Sequence, residues 1–139
     1  MQDGDSESHR PFVVLKFGGT SVATRERWDQ IAEIADRRLE SGAHPVLTCS
    51  AVSGVSNALE ALLEQTQAGD GWEDDLATIV ERHRDLAAAL EVEFGPAVDR
   101  MFEALHRLLQ GAALIREVSP KLRARVMAMG ELLSTRIGA

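Results

Sequence analysis

The sequence predicts an α/β fold in which an amino-terminal β-α-β unit is followed by several helices. Two short apolar runs rich in β-branched residues, 12–17 and 45–49, are typical of strands. Between these runs, Trp28, Ile31 and Leu39 recur at helical spacing. Every later apolar stretch has helical periodicity, so no third strand is predicted.

The first strand should be buried, and it ends abruptly at a glycine pair and two hydroxyl side chains: Gly18, Gly19, Thr20 and Ser21. Lys16 places a positive charge near the end of the strand. Glycines let a backbone approach a ligand closely, and exposed amide N–H groups can surround an anion. The segment therefore fits half of a phosphate site, and it equally fits a strand-end lysine followed by an ordinary turn. It matches neither of the common glycine-rich phosphate loops, because the lysine precedes the glycines.

The helix after this loop is expected to begin at a Thr24 cap and to end near Gly42. Consecutive strand, helix and strand form a parallel pair with a right-handed crossover. Both strands then end at the same edge of the sheet, where ligands of open α/β sheets bind. We therefore expect residues 16–21 to lie beside residues 50–57.

The second loop, Ser50 to Asn57, contains three serines, a glycine and an asparagine. Small hydroxyl side chains can bind a carboxylate or a phosphate, but serine and asparagine are also ordinary helix caps. Asn57 and Glu60 have capping-box spacing, which predicts that the next helix opens at about Ala58.

Three further helices are predicted, over 72–90, after Gly95-Pro96, and after the capping pair Ser119-Pro120. The apolar stripe from Val98 to Leu109 is interpreted as core or as a helix-packing surface. His83 is interpreted as a partly buried structural histidine.

Glu131 lies off the apolar stripe of the last helix, with Gly130 and Ser134 as neighbours at helical spacing. A carboxylate in this position could bind an ammonium group of a ligand. From this pattern alone, a solvated glutamate on a helix surface is the more common case.

Composition limits the possible functions. With 139 residues the chain is at most one domain, and its net charge of −7 argues against nucleic-acid or anionic-membrane partners. No apolar run approaches the ~18 residues of a membrane span.

A single cysteine, Cys49, excludes a disulfide framework, and no residues have metal-site spacing. The polar residues 1–11 are expected to be a disordered tail rather than a signal peptide, and the chain is expected to be cytoplasmic.

Three motifs carry a resemblance to a known family. Residues Lys16-Phe17-Gly18-Gly19-Thr20-Ser21-Val22-Ala23 resemble the opening signature of aspartate kinases, within the amino-acid kinase family. The resemblance continues in order through Ser50-Ala51-x-x-Gly54-x-Ser56-Asn57 and Gly130-Glu131-x-x-Ser134. It implies an α/β, amino-acid-kinase-like three-layer sandwich, with residues 12–139 as the amino-terminal portion of a kinase domain.

The resemblance also implies a reaction and the residues that perform it. Aspartate kinases transfer the γ-phosphoryl group of ATP to the β-carboxylate of L-aspartate, the first step toward lysine, threonine and methionine. The implied phosphate-binding residues are Lys16 (also the catalytic cation), Gly18, Gly19, Thr20 and Ser21. Ser50 and Ser56 would line the aspartate pocket, and Glu131 would bind the α-ammonium group. Mg²⁺ would come with the nucleotide, and no metal ligand is assigned to the chain.

In that family the nucleotide-binding half and the regulatory domains lie beyond the position of Ala139. We therefore expect an amino-terminal fragment that is inactive alone and whose unpaired sheet edge favours homo-oligomers. Two alternatives remain: another kinase of the same fold, or a non-catalytic interaction module that uses the stripe from Val98 to Leu109 as its partner surface.

Overall fold

The structure, a computed structural model, describes residues 10–139. Its elements in chain order are β1 (Phe12–Phe17), a 3-10 helix (Gly19–Val22), α1 (Arg25–Glu40), β2 (His44–Cys49), α2 (Val55–Ala68), α3 (Trp72–Leu90), α4 (Gly95–Ile115) and α5 (Pro120–Gly138). The predicted α/β class and the order of its elements are confirmed. The predicted tail falls almost entirely outside the described residues.

The two strands form a parallel sheet with α1 as the connection between them. Phe12 pairs with His44, Lys16 with Thr48, and Phe17 with Cys49. This register brings the carboxyl ends of both strands to one edge, as the β-α-β pattern predicts.

The two faces of the sheet differ in burial. On one face Cys49 is buried at the end of β2. On the other face Phe12 and Val14 are 75% and 68% exposed, Val46 is 43% exposed, and Lys16 is exposed beside them. The prediction of a buried first strand is therefore wrong, because helices cover only one face of the sheet within residues 10–139.

Helix α2 lies at the centre of the apolar core. Its residues Leu59, Leu62 and Leu63 are fully buried, and they belong to the same core cluster as residues of α3, α4 and α5. The stripe from Val98 to Leu109 is part of this core, since Leu105 and Leu109 are also fully buried. Its interpretation as core or as a helix-packing surface is confirmed, although Met101 and Leu108 of the stripe remain half-buried.

The start of α2 differs from the prediction. The helix begins at Val55, with Gly54 as its N-cap in the left-handed region (φ +82°), and the Ala58 amide donates to the Gly54 carbonyl at 3.1 Å. Asn57 therefore lies inside the first turn, and the predicted capping box with Glu60 is wrong. At α5 the prediction holds, because the Ser119 hydroxyl accepts a hydrogen bond from the Leu122 amide.

None of the five helices in this part of the chain is both long and apolar enough to cross a membrane.

His83 is a structural residue, as predicted, and it is fully buried between α3 and α4. Its Nδ1 lies 2.7 Å from the Ile79 carbonyl oxygen, so Nδ1 carries a proton and donates it to that acceptor. Its ring meets Phe102 edge-on, and its Nε2 has no hydrogen-bond partner in the described part of the chain. Burial lowers the pKa of His83, because the charged form cannot be solvated there.

This burial predicts acid sensitivity. Above the unfolded-state pKa of about 6.5 the imidazole is neutral in both states, and its packing contributes fully to the free energy of unfolding. Below that pH the unfolded chain binds a proton that the folded chain resists, so stability falls as the pH falls. Urea unfolding between pH 7.5 and 5 should show a shallower decline for His83→Leu than for the unchanged protein. His44→Gln, at an exposed position, should not alter the decline; equal pH dependence in His83→Leu would contradict the prediction.

Candidate functional site

The two loops that follow the strands are in direct contact. The Ser50 amide donates to the Phe17 carbonyl at 3.0 Å, which extends the strand pairing by one residue. The Ser53 amide donates to the Gly19 carbonyl at 3.1 Å, which joins the second loop to the first. The predicted adjacency of residues 16–21 and 50–57 is therefore confirmed.

The two glycines of the first loop have different surroundings. A Cβ atom on Gly19 would lie 2.7 Å from the Ala51 carbonyl oxygen and 3.3 Å from the Ser53 nitrogen. Gly19 is therefore required by the approach of the second loop. A Cβ atom on Gly18 would meet nothing within 4 Å, so the backbone there has open space beside it.

The predicted phosphate-binding side chains lie at the same end of the sheet. Lys16 is exposed one residue before the end of β1, and it makes no ion pair with any residue of the described range. Thr20 is exposed and Ser21 half-buried, both within the short 3-10 helix that begins at Gly19. The loop thus presents a cation, glycine backbone and hydroxyl groups toward solvent.

The second loop is anchored to the core by two apolar side chains, and its serines are more exposed than these. Ala51 and Val52 are buried, whereas Ser50 and Ser56 remain half-buried. Because α2 begins at Val55, Ser56 lies in the first helical turn rather than in the loop. The position of the Ser56 backbone is therefore set by the helix and by the buried Val55 beside it.

Helix α5 packs against the second loop through Gly130 and Ser134, the neighbours of Glu131 at helical spacing. The Ser134 hydroxyl donates to the Ser50 carbonyl oxygen at 2.7 Å and also lies 3.1 Å from the Glu131 carbonyl oxygen. A Cβ atom on Gly130 would lie 2.8 Å from the Ala51 Cβ, which shows how closely the helix approaches the loop. The Glu131 side chain is exposed and has no ion-pair partner among residues 10–139.

Sequence reasoning missed one cation near this site. The guanidinium group of Arg82, on α3, lies against the second loop, with Nη1 3.3 Å from the position of a Cβ on Gly54. Arg82 occupies an exposed position of a helix, and no local pattern distinguishes it from other surface arginines.

Of two cavities of the described residues, one lies away from the predicted site residues and the other near them, and neither is lined by any of them. One of them, of about 750 Å³, is a groove between α3 and α4. A smaller cavity of about 320 Å³ borders the second loop at Val52 and includes Arg82. The loops themselves form an open edge. Among residues 10–139, no group of three or more His, Cys, Asp or Glu side chains is arranged to hold a metal ion.

A parallel β-α-β unit with two contacting loops at its carboxyl edge is the arrangement in which open α/β folds bind small ligands. The sequence profile of the Amino acid kinase family matches residues 11–139. The chain therefore belongs to the amino acid kinase family.

Within that family the chain is similar to aspartokinases. Aspartokinase 1, chloroplastic, of Arabidopsis thaliana is 32% identical over an alignment of 131 residues, and the match covers 91% of this chain and 22% of that protein. Lysine-sensitive aspartokinase 3 of Escherichia coli is 33% identical over an alignment of 129 residues, and that match covers 88% of this chain and 26% of that protein. The chain thus spans about a quarter of the length of these relatives.

A solved structure shows the same similarity in three dimensions. The crystal structure of E. coli aspartokinase III in complex with aspartate and ADP superimposes with a TM-score of 0.75 and 28% identity. The match covers 93% of this chain and 28% of that chain. The resemblance found in the sequence motifs is therefore confirmed at the level of fold and family.

The contact between the loops predicts opposite outcomes for two neighbouring glycines. Gly19→Ala should lower the free energy of unfolding by about 1–3 kcal/mol, because the new methyl group must push the two loops apart. Gly18→Ala should change it by less than about 0.5 kcal/mol, the usual range for surface substitutions. Chemical denaturation of both variants measures the difference. Equal stability of the two variants would show that the loops do not constrain each other.

Proposed function

We propose that this chain provides the phosphate-binding and aspartate-binding loops of an aspartate kinase. The reaction is ATP-dependent phosphorylation of the aspartate β-carboxylate to 4-phospho-aspartate. The observation that carries the proposal is the hydrogen bond that joins the glycine loop to the serine loop at Gly19 and Ser53, with the Glu131 turn packed against the same serine loop. The similarity to aspartokinases over about nine-tenths of this chain supports it.

The first loop is assigned to the phosphates of ATP. Phosphoryl transfer depends mainly on positioning and on neutralising the charge of the transferred group. The open space beside Gly18 would admit a phosphate oxygen to the backbone. Lys16 would neutralise phosphate charge, while Thr20 and Ser21 would complete the loop. Mg²⁺ carried by the nucleotide would supply additional positive charge.

The second loop and α5 are assigned to aspartate. The exposed carboxylate of Glu131 is opposite in charge to the α-ammonium group of an amino acid and could therefore form an ion pair with it. The hydroxyls of Ser50 and Ser56 can donate to carboxylate oxygens. One negative and several donor groups along one edge fit a zwitterionic substrate with an additional carboxylate.

The decisive measurement identifies the molecule that accepts the phosphoryl group. The complete product of the gene that encodes this chain should form ADP from ATP only with L-aspartate present, and hydroxylamine should trap the acyl phosphate. Glutamate, acetylglutamate, carbamate and uridylate are the acceptors of other kinases with this fold, and they are tested as alternatives to aspartate. ADP formation with one of these, and none with aspartate, would replace the proposal by the second candidate, another kinase of the family. The 139 residues alone are expected to show no turnover.

Cytoplasmic location, a place in lysine biosynthesis and a homo-oligomeric state are also parts of this proposal. In the described sheet the outer edges of β1 and β2 are unpaired, and unpaired strand edges favour association with another copy of the chain. Sedimentation across a concentration series would measure it, and a monomer at all concentrations would count against the homo-oligomer.

Replacement of Glu131 should impair the binding of aspartate more than that of ATP. A charge-assisted contact contributes roughly 1.5–3 kcal/mol, so Glu131→Gln should raise the KM for aspartate about tenfold to hundredfold. The KM for ATP should stay within about twofold, since the substitution leaves the first loop unchanged. Steady-state kinetics with each substrate varied in turn measures both. Glu64→Gln, on an exposed position of α2, is the matched control. Equal changes for both substrates would remove Glu131 from its assigned role.

Replacement of Lys16 should act on turnover. Its charge is most useful while negative charge moves between phosphate and acceptor, so Lys16→Ala should lower kcat by at least about a hundredfold. Lys121→Ala is the natural control, because Lys121 is the only other lysine of the chain. A kcat that is unchanged in Lys16→Ala would contradict the assignment.

A further inference from the structure

Three polar side chains are fully buried in the described part of the protein: Thr66, His83 and Ser134. Thr66 donates to the Leu63 carbonyl of its own helix, and His83 donates to the Ile79 carbonyl of its own helix. Ser134 differs, because its shortest hydrogen bond reaches the carbonyl of Ser50, 84 residues earlier in the chain. Its hydroxyl therefore joins two separate elements inside the core.

Both acceptors of this hydroxyl belong to residues assigned to aspartate. A serine has one proton to donate, and the Ser134 proton is placed between the carbonyl oxygens of Ser50 at 2.7 Å and Glu131 at 3.1 Å. The side chains of Ser50 and Glu131 extend from the same backbone units. Any movement of α5 relative to the second loop would change this hydrogen bond and the separation of the two side chains together.

Gly130 adds a second fixed point one turn earlier on the same face of α5. A Cβ there would lie 2.8 Å from the Ala51 Cβ and 3.4 Å from the Leu59 Cδ1. Gly130 therefore lets the helix approach the loop closely. Ser134 forms a hydrogen bond to the loop one turn further along the helix. Two contacts separated by one turn fix both the rotation and the axial position of α5.

We propose that Ser134 is a positioning residue for aspartate: its buried hydroxyl sets the distance between the Glu131 carboxylate and the Ser50 side chain. It does not touch the substrate and acts only through these two residues. This inference rests on the proposed function, since it assigns to Ser134 the geometry of that same site.

Kinetics of the complete gene product tests the role. Ser134→Ala removes the hydroxyl without adding volume and leaves the Ser50 carbonyl without its donor. The KM for aspartate should rise about tenfold, the effect of one lost buried hydrogen bond, while the KM for ATP stays within about twofold. Thr66→Val is the matched control, because it removes a buried hydroxyl that bonds only within α2. It should lower thermal stability to a similar extent and leave both KM values unchanged. Equal changes of the two KM values in Ser134→Ala, or an equal rise of the aspartate KM in Thr66→Val, would overturn the proposal.

Hydrogen–deuterium exchange of the same variants separates this inference from the proposed function. The hydrogen bond from Ser134 to the Ser50 carbonyl joins α5 to the second loop, and peptides over 127–134 and 50–55 lie on its two sides, so their exchange reports whether α5 and the loop remain joined. Faster exchange of both peptides in Ser134→Ala, but not in Thr66→Val, supports Ser134 as the link even in a protein that phosphorylates another acceptor. Unchanged exchange in Ser134→Ala overturns the inference whatever the acceptor is.

Discussion

The close approach of the Ala51 backbone to Gly19 is the constraint on which the rest of the site depends. Parallel pairing of β1 and β2 brings the two strand ends together, but it leaves the path of each loop undefined. The absence of a side chain at Gly19 lets the second loop come within hydrogen-bonding distance, and the Ser53 amide then satisfies the Gly19 carbonyl. One small residue thereby decides whether the first loop and the serines of the second share a site.

The helical core links this constraint to the third sequence motif, which contains Gly130, Glu131 and Ser134 of α5. Helix α2 starts directly from the second loop, and its buried leucines pack in one core with α4 and α5. An ion pair between Glu60 and Arg123 also joins α2 to α5 near the protein surface. The position of Glu131 therefore depends on the packing of a core that lies mainly outside the site.

Local patterns in the sequence were sufficient for the elements, and they were insufficient for features set by distant contacts. The helix start at Ser119 was predictable because the cap and its partner are three residues apart. The start of α2 was not, since the left-handed conformation of Gly54 overrode the capping-box spacing of Asn57 and Glu60. The burial of β1 was overestimated because the composition of a strand does not report what covers it. The bond between Ser134 and Ser50 has no local signature at all.

The exposed face of the sheet bears on how Lys16 can act. The chain carries a net charge of −7, and both proposed substrates are anionic, so a local positive charge has to outweigh a repulsive background. In water a pair of unit charges at 4 Å gains only about 1 kcal/mol, but about 4 kcal/mol at the effective dielectric constant of a protein surface. Lys16 lies on the same face as the exposed Phe12 and Val14. Covering that face would bury this apolar surface and exclude water from the lysine at the same time. Because Lys16 and the exposed apolar residues share one face, exclusion of water from that face would also strengthen any attraction between Lys16 and a phosphate.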